Sequence, residues 1–140
     1  MKAELIPFYF RYHDIKEDFI FSASKGPQIA ILHPRQLSVY SVTKFTSDKK
    51  TLDSFQLSLV YQHKLNRSAF SMCVGPFGGV QGKDFVCVQS VDGCLNLFEA
   101  ESFSFSRFLP GFLLPGPLAY VSKTDSFVTV SSSYQLESYK

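Results

Sequence analysis

Asp84-Phe85-Val86-Cys87-Val88-Gln89-Ser90-Val91-Asp92-Gly93-Cys94-Leu95-Asn96-Leu97-Phe98 sets two apolar, β-branched-rich runs on either side of Asp92-Gly93. Asp-Gly between such runs predicts a two-residue hairpin turn of type I′, because both central positions of that turn need positive φ. The turn fixes a register in which Val91 faces Cys94, Ser90 faces Leu95 and Val88 faces Leu97. Side chains alternate across a strand, so one face is expected to carry Val86, Val88, Leu95 and Leu97. The other carries Phe85, Cys87 and Phe98 beside Gln89 and Asn96. Large apolar groups on both faces predict a hairpin covered on both sides.

The same pattern occurs twice more. Upstream, Ile29-Ala30-Ile31-Leu32 precedes a turn at Pro34 and then Leu37-Ser38-Val39-Tyr40. Downstream, Phe127-Val128-Thr129-Val130 precedes a Ser-rich turn and then Leu136-Glu137-Ser138-Tyr139. The closing aromatics Tyr40, Phe98 and Tyr139 lie 58 and 41 residues apart. A propeller blade of four strands takes roughly 40–45 residues. The longer first interval fits a blade with an inserted loop at 44–53, which is polar and holds Lys49-Lys50. Further strands are expected at Phe55–Lys64, Ala69–Val74 and Phe103–Leu109. The repeats are placed near 19–43, 54–98 and 99–140, after a divergent segment at 1–18. An ordinary β-sandwich would also give regularly spaced hairpins, but the repeat period favours an all-β partial propeller. At roughly 40–45 residues a blade the chain supplies about three blades, whereas closed rings use about four to eight. The chain is therefore expected to be a fragment or an incomplete ring.

Composition agrees with this reading. Of 140 residues, 45% are hydrophobic and 19% charged, which is enough apolar material for a core and excludes a disordered chain. Fifteen Phe and seven Tyr, with no Trp, favour strands. A formal net charge of +2 is too mild to argue for a nucleic-acid or membrane surface. The opening residues, broken by Pro7, do not read as a signal peptide. Phe108–Ser122 is uncharged but interrupted by Pro110, Pro115 and Pro117, so it is not a membrane helix. Cys73, Cys87 and Cys94 are odd in number and show no Cys-x-x-Cys spacing, so buried, reduced thiols and a cytoplasmic location are expected.

The search for chemistry returns little. His13, His33 and His63 lie far apart and match no zinc spacing with the cysteines. Gly75–Asp84 is Gly-rich, but Asp84 stands where a phosphate loop needs Ser or Thr, and a strand follows instead of a helix. No Ser sits in a nucleophile elbow. Asp14, Glu17, Asp18 and Lys49-Lys50 read as solvated loop charges. No catalytic, metal or cofactor residue is expected, and no small-molecule substrate. Arg107-Phe108-Leu109-Pro110-Gly111-Phe112-Leu113-Leu114-Pro115-Gly116-Pro117-Leu118-Ala119-Tyr120 carries two Pro-Gly pairs that fit type II turns. Phe112, Leu113 and Leu114 would be costly to leave in water. The stretch is read as a blade-to-blade connection tucked into the core, with an apolar partner loop as the alternative.

This segment also carries a resemblance. Phe77-Gly78-Gly79-Val80, Gln89-Ser90-Val91-Asp92-Gly93, Arg107–Tyr120, Thr124-Asp125-Ser126-Phe127 and Glu137-Ser138-Tyr139-Lys140 resemble the N-terminal propeller of the Bardet–Biedl syndrome protein nine family. These proteins are also called parathyroid hormone-responsive proteins. Ile31-Leu32-His33 and Val39-Tyr40-Ser41-Val42 continue the resemblance upstream; Met1 to about Asp18 does not share it. The resemblance implies a much longer chain with a seven-bladed propeller, acting as a non-enzymatic scaffold subunit of the BBSome. That coat-like complex traffics membrane proteins to and from cilia, so the implied partners are other BBSome subunits, with indirect membrane association through the complex. The implied location is the cytoplasm, the ciliary membrane and the basal body region. The loop residues Arg107, Phe108, Pro110, Gly111, Phe112, Leu113, Leu114, Pro115 and Gly116 become candidate partner contacts, and Asp92 and Gly93 a structural turn. A generic propeller interaction module, a truncated fragment with no independent function, and a hydrolase using a central channel are the competing readings.

Overall fold

The computed structural model describes residues 17–23, 26–45, 54–80, 83–99, 102–109 and 117–140. Three antiparallel sheets follow one another along the chain. The first contains β1 (Glu17–Ala23), β2 (Gly26–His33), β3 (Gln36–Phe45) and β4 (Ser54–Lys64). The second contains β5 (Ala69–Gly75), β6 (Phe85–Ser90), β7 (Cys94–Glu99) and β8 (Ser102–Phe108). The third contains β9 (Ala119–Val121), β10 (Ser126–Val130) and β11 (Leu136–Tyr139). Within each sheet, strands adjacent in sequence are adjacent in space. The first strands of the three sheets, β1, β5 and β9, lie beside one another, while β8, last in its sheet, is exposed along its whole length. Successive meanders arranged from an inner to an outer strand make this all-β chain a partial β-propeller of three blades.

The blade limits differ from the sequence repeats. The strand at 54–64 closes the first sheet instead of opening the second, and the second sheet ends at Phe108. The reason lies in β4 itself, which pairs with β3 all the way from Phe45↔Ser54 to Gln36↔Lys64. Within the predicted insertion, Lys44 and Phe45 belong to β3, and 46–53 lie outside the described residues. Glu17 and Asp18, expected as loop charges, begin β1, whereas 1–16 lie outside the described residues.

The core forms two seams, one on each face of the second sheet. Met72, Val86, Val88 and Phe98 pack with Ala30, Leu32, Leu37 and Val39 of the first sheet. Cys73, Cys87, Leu95 and Leu97 pack with Leu118, and Tyr120 and Phe127 of the third sheet close against them. Coverage on both sides is as expected for a strand pair with apolar groups on each face. Each such side chain removed from water contributes roughly 1.5–3 kcal/mol.

The assignment of residues to faces needs correction. Gln89 faces Leu95, Val88 faces Asn96, Cys87 faces Leu97 and Val86 faces Phe98. That is one residue away from the predicted register, and a one-residue slip exchanges the faces of one strand relative to the other. The turn explains it. Gly93 has φ 82°, but Asp92 is not left-handed, so type I′ is not formed. Instead Gly93 N–H donates to Ser90 O at 2.9 Å across a three-residue loop of Val91, Asp92 and Gly93. This loop needs only one left-handed residue, and Gly supplies it without steric cost. The third sheet repeats the loop 41 residues on: Tyr134 has φ 58° and its N–H donates to Ser131 O at 3.0 Å.

Candidate interaction surface

The linker 65–68 joins the first and second sheets and is bonded on both sides. Leu65 N–H donates to Arg35 O at 2.9 Å, and Ala69 N–H donates to Pro34 O at 2.8 Å. On the far side, Val91 N–H donates to Ser68 O at 2.8 Å. Turns of two blades and their linker thus form one rim of the arc. Arg67 of the linker pairs with Asp92, and its guanidinium lies 4.9 Å from the centroid of the Phe108 ring. The Ser90 hydroxyl, and then Arg67, hold the Asp92 carboxyl below the usual carboxylate range. Both Arg67 and Asp92 are about half exposed, so the pair is worth at most ~1 kcal/mol. Its role is to tie the predicted turn to the end of β8. Beside it, His33, Pro34, Arg35, Gln36, Lys64, Leu65 and Asn66 line an open cleft of about 690 Å³. Its side chains are cationic or neutral, with no carboxylate among them.

On β8, Phe103, Phe105 and Phe108 are 53%, 50% and 53% exposed, more than rings of this size leave in water in a packed sheet. Serines separate them in Ser102-Phe103-Ser104-Phe105-Ser106-Arg107-Phe108. One edge of β8 pairs with β7; the other pairs with no strand among the described residues. Unpaired N–H and C=O groups on an outer strand can accept a partner strand. Of the predicted loop residues, Arg107 and Phe108 are therefore exposed and lie on this strand. Pro110, Gly111, Phe112, Leu113, Leu114, Pro115 and Gly116 lie outside the described residues. The flanks of that segment, Leu109 and Leu118, both enter the seam between the second and third sheets.

That seam holds a second cluster, which sequence reading did not assemble. Phe77 packs edge-on against Tyr120, with ring centroids 4.7 Å apart, and tilted against Phe127 at 4.8 Å. Tyr120 Oη donates to Asp125 Oδ1 at 2.7 Å, and Gly78 N–H donates to the same oxygen at 2.9 Å. Burial, and then the neighbouring Asp125, push the Tyr120 hydroxyl up to about 12. The two donors hold the Asp125 carboxyl below its ordinary value, Tyr120 first. The end of β5 comes so close to the ring that a Cβ on Gly75 would sit 2.5 Å from Tyr120 Cδ1. Phe77, Gly78, Tyr120, Asp125 and Phe127 all fall in stretches that carry the resemblance. Their signal in the sequence was that resemblance alone, since nothing local joins residues 78 and 125.

Successive antiparallel meanders place the chain in the class of β-propeller repeat proteins. Residues 14–140 match the family model described as PTHB1 N-terminal. Protein PTHB1 of Xenopus laevis is 59% identical over 112 residues, covering 80% of this chain and 13% of the relative. Protein PTHB1 of Mus musculus is 56% identical over 119 residues, covering 85% and 13%. The pthb1 homolog of Caenorhabditis elegans is 32% identical over 114 residues, covering 81% and 15%. The chain belongs to the PTHB1 family, and it spans about 13% of the length of its vertebrate relatives. The family given from resemblance is corrected on this basis. The matching model and relatives carry the name PTHB1, and the match begins at residue 14, inside the segment read as foreign.

Proposed function

We propose that this chain is part of a non-enzymatic scaffold, a BBSome subunit whose coat-like complex traffics membrane proteins to and from cilia and supports cilium assembly or maintenance. In this reading it works in the cytoplasm and at the cilium, reaches membranes only through the complex, and binds neither nucleic acid nor a small-molecule substrate. Membership of the PTHB1 family supports the reading. The observation that carries it is β8, an outer strand with three half-exposed phenylalanines and an unpaired edge among the described residues. Arg107 and Phe108, at its end, are the described members of the loop proposed to contact partners.

The test is to express the tagged chain in ciliated cells and identify by mass spectrometry what co-purifies, beside a Phe103→Ser/Phe105→Ser variant. Recovery of BBSome subunits with the parent and at least tenfold less with the variant is expected. Equal recovery with both removes β8 from the proposal. Recovery of chaperones alone overturns it for this chain.

A further inference from the structure

Cys73 and Cys87 stand directly opposite each other on β5 and β6. Both are buried in the seam between the second and third sheets, at 5% and 0% exposure, and both are free thiols. Opposed residues of an antiparallel pair have Cα atoms about 4.5 or 5.5 Å apart. Either distance falls within the roughly 4.4–6.8 Å that a disulfide spans. Side chains at opposed positions also project from the same face. Cys94 differs: it begins β7 and, by alternation with Leu95 and Leu97 of the same strand, projects from the other face.

We propose that Cys73 and Cys87 are a reversible modification site, closed to a cross-strand disulfide by a small-molecule disulfide such as glutathione disulfide. One cysteine sulfur attacks the reagent, forming a mixed disulfide and releasing one glutathione thiolate. The second cysteine sulfur then attacks the protein-bound sulfur and releases the other. Two protein thiols are oxidised, one glutathione disulfide is reduced, and the two protons end on the two glutathione thiols. Cross-strand Cβ atoms sit about 4.5–5.5 Å apart, farther than the roughly 3.8 Å a relaxed disulfide prefers. A bond that must draw two strands together is strained, and strained disulfides are the readily reduced kind. The product is thus a switchable link and not a structural staple.

Access is controlled by the third sheet. Phe77 and Leu118 share the cluster with both sulfurs, and Tyr120 and Phe127 pack on it. Burial and the neighbouring Cys73 push the Cys87 thiol well above its usual range, so little thiolate exists while the seam is closed. Oxidation therefore proceeds through opening of the seam, and its rate reports that opening.

The experiment uses the 140-residue chain with Cys94→Ser, because Arg107 is the first tryptic site after Lys83 and cleavage would leave Cys87 and Cys94 on one peptide. After incubation with glutathione disulfide, acid quench and alkylation, the peptide carrying Cys73 is expected linked to the peptide carrying Cys87. Reduced glutathione is expected to restore both thiols. Tyr120→Phe removes the hydroxyl that bonds Pro76 O across the seam at 3.2 Å, keeps the ring, and is expected to speed linkage about fivefold, the factor for one hydrogen bond of about 1 kcal/mol. Lasting glutathione adducts without the Cys73–Cys87 link overturn the site. The same linkage rate in a folded Tyr120→Phe chain overturns its control by the seam.

Discussion

The second and third blades build the same hairpin loop from different residues and bury it to different depths. In the second, Ser90-Val91-Asp92-Gly93 places glycine at the left-handed position; in the third, Ser131-Ser132-Ser133-Tyr134 places tyrosine there. The second sheet has four strands and apolar neighbours on both faces. Among the described residues the third has three strands, and Tyr134 and Leu136 are 84% and 76% exposed. A repeat unit gains most of its stability from the neighbours it touches. The contrast teaches that the backbone pattern is carried by the repeat, whereas the cost of departing from it depends on how many neighbours depend on the blade.

The largest effect should separate the blades by burial. Met72 is 1% exposed and lies in the seam with the first sheet. Met72→Ala should destabilise the chain by about 2–5 kcal/mol. Leu136→Ala in the third blade should stay within about 0.5 kcal/mol, since its side chain is already in water. Urea unfolding monitored by circular dichroism measures both. Similar losses from the two would erase the distinction between a covered and an open blade.

Exchanging the residues at the left-handed position sharpens the comparison at lower energy. Gly93→Val forces a β-branched side chain into positive φ and should cost about 1–3 kcal/mol. Tyr134→Gly relieves a left-handed tyrosine but frees the unfolded backbone, a net gain of about 0.5 kcal/mol. Opposite shifts in the urea midpoint are expected. If Gly93→Val leaves the midpoint where it was, the loop geometry assigned to both blades is wrong.

How much of this was legible in the sequence follows from the same loop. The hairpins at Pro34, Gly93 and the serine turn could be read because each is local: an apolar run, a turn residue, another run. The register could not, because Asp-Gly serves both a two-residue and a three-residue loop. The choice is made where Asp92 meets the Ser90 hydroxyl and Arg67, 25 residues upstream. The blade limits failed for a related reason. Whether 54–64 closes one sheet or opens the next depends on its pairing with β3, to which its own alternation is indifferent. Of the site, the phenylalanines of β8 were visible as a strand, but their exposure was not, since alternating Ser and Phe describes a half-buried strand equally well. Tyr120 and Asp125 were visible only as members of resembling stretches.

The smallest effect concerns the seam that joins the two blades, and it is read through pH. Tyr120 is neutral in the folded seam and is pushed up to about 12, whereas an unfolded tyrosine ionises near 10. A raised folded value means its contribution is complete below about pH 10 and is lost as pH climbs from about 10 to 12. Asp125 has the opposite sign: its folded value is lowered by the Tyr120 hydroxyl and then by Gly78 N–H. Its contribution is present above the ordinary carboxylate range near 3.9 and fades as pH falls below it. Tyr120→Phe should therefore flatten the alkaline fall in melting temperature, and Asp125→Asn the acid fall. The flattening by Tyr120→Phe should be partial, because Glu137 raises Tyr139 on β11 in the same direction. Adding Tyr139→Phe should remove more of the alkaline slope. If instead Tyr120→Phe keeps the parent's full alkaline slope, the Tyr120 hydroxyl does not hold Asp125 in place to receive Gly78 N–H from the second blade in solution. The third blade would then hold to the second through its rings and the Gly78 N–H bond to Asp125, and the difference between the two blades would be wider than their shared loop suggests.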